Sequence, residues 1–153
     1  MRYFTENKND FEGYRKNIET LEVRLNHETY SFMLDNSFHD SLLNKLTVLN
    51  HYNNEEPYDS KISPVFVSAQ LTYWNDEKYE LFWEDVSVHS VDFDITRNKM
   101  VETGLILYGH GLDQWSHDEL LLIENGNLRH EIFLFSQTTI IIECKKFSIK
   151  QID

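Results

Sequence analysis

Residues 65–83 read VFVSAQLTYWNDEKYELFW, and this stretch decides the fold. Val65, Val67, Ala69, Leu71 and Tyr73 alternate with Ser68, Gln70 and Thr72, the period of two expected of a half-buried strand. Asn75-Asp76-Glu77-Lys78 is rich in turn formers, and Tyr79, Leu81 and Trp83 then resume the alternation. The stretch predicts a β-hairpin with two aromatic-bearing arms. Beyond Trp83 the parity slips to Val86 and Val88, then to Val91, Phe93 and Ile95. These two slips predict bulges or a broken strand, either of which reverses the inward face.

Outward from the hairpin the same period recurs. Leu42, Leu46 and Val48 fall on one parity; Leu105 to Tyr108 and Leu120 to Ile123 are short strand-like runs. Glu124-Asn125-Gly126-Asn127 carries the Asn-Gly pair of a tight turn into Leu128 to Phe135, and Ser136-Gln137 turns the chain into Thr139 to Ile149. Toward the N-terminus the period changes. Asp10 can cap a helix whose Phe11, Tyr14, Ile18, Leu21 and Leu25 follow steps of three and four. Gly13 weakens its first turn, and Asp35-Asn36-Ser37 marks the end of the helical region. The expected fold is α+β: an N-terminal amphipathic helix, then a mainly antiparallel β-sandwich or half-open barrel of six to eight strands. Residues 1–153 form one domain, with a helical segment at 1–36 and a β-rich body at 37–153.

Composition narrows the function. No apolar run approaches the ~20 residues of a membrane helix, and the first 25 residues lack a signal-peptide core. A cytoplasmic location is expected, and the single cysteine, Cys144, suits a reducing compartment. Lys and Arg number 14 against 26 Asp and Glu, a net charge of −12. That sign argues against a nucleic-acid partner, which needs a basic patch. Between residues 53 and 94 lie ten acids, Glu55, Glu56, Asp59, Asp76, Glu77, Glu80, Glu84, Asp85, Asp92 and Asp94, against Lys61 and Lys78. The stretch reads either as a solvated acidic face or as a surface for a basic protein partner. The first eight of those acids are the candidate partner-binding residues.

Two stretches invite a catalytic reading. YGHGLDQWSHDELLL, residues 108–122, sets out His110, Asp113, His117 and Asp118 as competent metal ligands, with His110, Asp113 and His117 the candidate set. Their spacing matches no established site, so a loop linking two strands is the plainer reading and no cofactor is expected. SFHDSLL, residues 37–43, places the residue types of a hydrolytic triad side by side. Neighbours on an extended chain point to opposite sides, so they cannot aim at one another. Phe38, His39, Asp40 and Ser41 read instead as a structural corner, with Phe38 in the core and the Asp40 and Ser41 side chains accepting backbone N–H bonds. His27, His51, His89 and His130 are isolated in sequence.

Met1-Arg2-Tyr3-Phe4-Thr5, the following helix and Phe38-His39-Asp40-Ser41 resemble a group of small bacterial proteins that look like immunity proteins of Gram-positive polymorphic toxin systems. The resemblance covers about the first third of the chain. It implies a non-enzymatic protein that sequesters a toxin domain, with HDS a fold signature. Two other classes stay open. One is a small-molecule binder or metal-dependent enzyme with a pocket among Trp74, Trp83 and Trp115. The other is a self-assembling subunit, because Thr139 to Ile149 is apolar on both faces.

Overall fold

The computed structural model describes residues 1–53, 55, 62–97 and 111–152. The predicted strand Leu105 to Tyr108, with Glu56, Asp59 and His110, lies outside them. The chain opens with a two-stranded hairpin, β1 (Phe4–Thr5) and β2 (Lys8–Asn9), where the sequence predicts no strand. α1 (Phe11–Glu19) follows, capped as expected by the Asp10 carboxylate, which accepts the Gly13 N–H at 2.9 Å. Gly13 is needed for this close approach: a Cβ there would stand 2.8 Å from the Asp10 carboxyl carbon.

The predicted single long helix is replaced by two short ones. A 3₁₀ turn over Glu22–Arg24 breaks the stripe, and α2 (His27–Asp35) starts afresh with the Asn26 side chain accepting the Thr29 N–H. Ile18, Leu21 and Leu25 are buried, but Phe11, assigned to the same stripe, is 70% exposed.

β3 (Leu42–Asn50), β4 (Val65–Thr72), β5 (Lys78–Asp92), β6 (Trp115–Leu122), β7 (Leu128–Leu134) and β8 (Thr139–Ile152) form one antiparallel sheet in the order β3-β4-β5-β8-β7-β6. One sheet thus stands where a two-sheet sandwich was allowed. The predicted hairpin is present, with Leu71 opposite Tyr79 and Val67 opposite Trp83. A bulge is present in this region, but it falls between Val86 and Val88, which the sequence puts on one parity: the register shifts there, beside Asp85 at φ 54°, and Val88 is turned outward. β5 and β8 are the long central strands; β4 flanks the first part of β5, and β7 the first part of β8. β8 is therefore central, which accounts for its apolar character on both faces.

Inward residues of the sheet, including Val67, Leu71, Leu81, Trp83, Trp115, Leu120, Ile132, Leu134, Ile142 and Phe147, make one core with Ile18, Leu21, Leu25 and Met33. Past Cys144, β8 has no strand partner on the β7 side among the described residues, and α2 covers it: the Thr29 hydroxyl accepts the Ile149 N–H at 2.9 Å. The two outer strands meet at one corner. There Leu42 bridges Gln114, the Trp115 N–H donates to the Ser41 carbonyl at 2.8 Å, and the Asp40 N–H donates to the Trp115 carbonyl at 2.9 Å.

Candidate functional site

The HDS corner is structural in backbone but not in the way the side chains suggested. Phe38 is 1% exposed and packs on Phe32, Tyr79 and Trp115. The Asp40 side chain accepts no backbone N–H. It points outward beside His39, 3.5 Å from Nε2, and the residue itself sits at φ 66°, where Asp is better tolerated than most residues. The Ser41 hydroxyl is fully buried and has no hydrogen-bond partner among the described residues. His39 Nδ1 bonds the Ser116 carbonyl. With Ser41 Oγ unpartnered, the three side chains form no triad.

Of the candidate metal ligands, Asp113 is buried at the corner, where its backbone carbonyl accepts the Leu43 N–H. His117 sits between Phe4 and Phe133 with Nδ1 on the Ser116 hydroxyl, and burial holds its pKa below the usual imidazole value. Among the described residues no group of three or more His, Cys, Asp or Glu is placed to hold a metal ion.

Asp118 faces the interior and belongs to a buried polar chain. Trp115 Nε1 donates to Asp118 Oδ1 at 2.8 Å, His130 Nε2 lies 2.9 Å from Asp118 Oδ2, and Trp83 Nε1 donates to His130 Nδ1 at 3.1 Å. An indole N–H can only donate, so His130 Nδ1 accepts and Nε2 carries the proton toward Asp118. Every polar atom of the chain is thereby used, inside a wall of aromatic rings that includes Phe147. Trp83 and Trp115, taken from sequence as possible pocket walls, are core residues at 0% exposure. Cys144 is also in the core, and burial pushes its thiol up to about 12.

The next residue, Glu119, is buried on the opposite face. Its carboxylate accepts the N–H groups of Arg2, Tyr3 and Phe4 at 2.6, 2.5 and 2.7 Å, fastening the N-terminal segment to β6. Two consecutive buried acids, each serving a different layer, are what sequence reading missed. The signal was there: Asp118-Glu119 stands directly before the apolar run Leu120 to Ile123 in a strand-like stretch.

The acidic stretch does not form one surface. Asp76 and Glu77 lie at the β4–β5 turn, while Glu55 follows β3 at the other end of β4; eight residues at about 3.3 Å each separate the two ends. Glu80 stands opposite Lys150 on the sheet, and Glu84 opposite Lys146 at 3.9 Å. Asp85 pairs with Lys145 at 2.8 Å and accepts the Ser63 N–H at 2.6 Å. Burial pushes the Asp85 carboxyl up, but Lys145 and the Ser63 N–H outweigh it and hold it below the usual range. Two of the β5 acids, Glu84 and Asp85, are thus answered by β8 lysines that lie far away in sequence, and Glu80 accepts a bond from Gln70 Nε2 at 3.3 Å.

The β4–β5 end holds an open groove of about 460 Å³ lined by Glu28, Phe32, Tyr79, Ile149, Lys150 and Gln151. Tyr79 Oη donates to Glu77 Oε2 at 3.0 Å, and burial with this bond pushes the phenol up to about 12. Trp74 stands at the turn, 69% exposed, beside Tyr73. No protein-family model, curated protein or solved structure matches the chain. Among the described residues no helix is long and apolar enough to cross a membrane.

Proposed function

We propose that this chain is a non-enzymatic acidic binding protein whose partner is a basic protein, with a toxin domain as the partner that the immunity-protein resemblance suggests. The observation that carries the reading is the charge of −12, which raises the encounter rate with a positive surface and suppresses wrong partners. The inward polar groups support it: the Trp83, His130, Asp118 and Trp115 chain satisfies itself, with nothing left over for a substrate. A catalytic Asp–His pair would instead keep one imidazole nitrogen for a reacting group.

The test is expression of this chain with the product of the adjacent gene. The reading expects a basic domain that is toxic alone, harmless in the presence of this chain, and recovered with it as a complex. A neighbour that neither binds nor intoxicates, together with turnover of a small molecule by the purified chain, would overturn it.

A further inference from the structure

We propose that the groove between α2 and the end of β8 receives an arginine side chain of the basic partner, an inference that rests on the basic-partner reading above. The groove's volume, about 460 Å³, suits one long side chain with its neighbours. Two aromatic rings line it, Phe32 and Tyr79, 5.2 Å apart, and Tyr73 packs against Tyr79 at 5.5 Å. Guanidinium groups stack on such faces and lose little hydration in doing so. Trp74, 5.7 Å from Tyr73, carries the aromatic surface out to the rim.

Two carboxylates supply the charge. Glu28 lines the groove from the first turn of α2. Glu77 is tied to the groove through the lining residue Tyr79, whose Oη donates to it, and bonds from Asn75 and Tyr79 hold its carboxyl below the usual range, hence ionised at neutral pH. Lys150 is the one base in the lining. Its register partner is Glu80, and the Lys150 and Glu80 side chains share the sheet face opposite to that of Tyr79 and Gln151. The arrangement therefore offers a cation two aromatic rings and two acids, one in the lining and one bonded to it.

The experiment is a titration of the ¹⁵N-labelled protein with acetylated, amidated hexa-arginine, and separately with hexa-lysine, at near-physiological salt. The chain has three tryptophans, and the indoles of Trp83 and Trp115 are fully buried and bonded, so the third indole signal reports Trp74 alone. Saturable movement of that signal is expected, with hexa-arginine the tighter ligand. Glu28→Gln with Glu77→Gln should weaken binding about tenfold, and Glu6→Gln with Glu124→Gln, the same change in net charge elsewhere, less than about twofold. Glu28→Gln alone, on an exposed helix face, serves as the milder variant should the pair perturb the fold. Equal weakening by the two pairs would show that binding follows net charge, removing the groove while leaving the basic-partner reading intact. A Trp74 signal that stays still through saturation would also remove the groove.

Discussion

At Asp40 a single dihedral angle does what the side chain was expected to do. Its φ of 66° lets the chain turn from Phe38 into β3, and its exposed carboxylate carries none of the backbone N–H groups nearby. Asp40→Gly should leave stability within about 0.5 kcal/mol of the parent, whereas Asp40→Ala should cost about 1 kcal/mol, since a left-handed conformation penalises a Cβ. Ser41→Ala should raise stability by up to about 1 kcal/mol, because it removes a buried hydroxyl that has no partner among the described residues. Urea denaturation of the three variants checks all of this; a marked loss for Ser41→Ala would show that the hydroxyl has a role. His130 is the opposite case. His130→Leu strands the Asp118 carboxylate and the Trp83 indole, and should cost about 3 to 5 kcal/mol. Nitrogen chemical shifts of His130 at neutral pH should show the Nε2–H tautomer, and a protonated Nδ1 would contradict the network.

Elements were legible where one period governed a stretch. The β4–β5 hairpin and the presence of a bulge beyond Trp83 were readable because strict alternation exposes any slip as a change of parity; its place between Val86 and Val88 was not. The end of the helical region at Asp35 was readable, but the break that starts α2 as a second helix was not: its two buried residues, Thr29 and Met33, make too short a stripe, and Thr29 is buried to serve Ile149 in β8. The β1–β2 hairpin was equally hidden, since its attachment depends on Glu119, more than a hundred residues away. Glu119→Ala should detach residues 2–4 at a cost of about 3 kcal/mol, from three charge-assisted bonds. Hydrogen exchange should then show fast amides at Arg2, Tyr3 and Phe4 with the main sheet still protected; unchanged protection would count against the anchor. The bulge at Asp85 is acid-sensitive for a stated reason. Its carboxyl pKa is lowered on folding, so its contribution is present above the unfolded value near 4 and is lost as pH falls through the lower folded value. Asp85→Asn should remove that part of the acid dependence, and an acid unfolding profile identical to the parent's would contradict it.

Across the whole molecule, charge is organised by pairing that composition conceals. Ten acids between residues 53 and 94 read as one acidic surface, yet the sheet sets Glu80, Glu84 and Asp85 against Lys150, Lys146 and Lys145, and puts Glu55 and Glu77 at opposite ends of β4. Strand order decides such neighbours, and no local pattern in the sequence encodes it. The buried chain from Trp83 to Trp115 was illegible for the same reason, with Trp83 and His130 separated by 47 positions. What composition does state correctly is the net excess of negative charge, and the proposed charge-steered association rests on it. The direct test is the association rate of this chain with the basic domain that the proposed function expects the adjacent gene to encode, measured by stopped flow at low and high salt. A charge-steered complex predicts a rate that falls at least about tenfold as salt rises from roughly 0.05 to 0.5 M, with a much smaller change in dissociation. An association rate that does not respond to salt would contradict the claim.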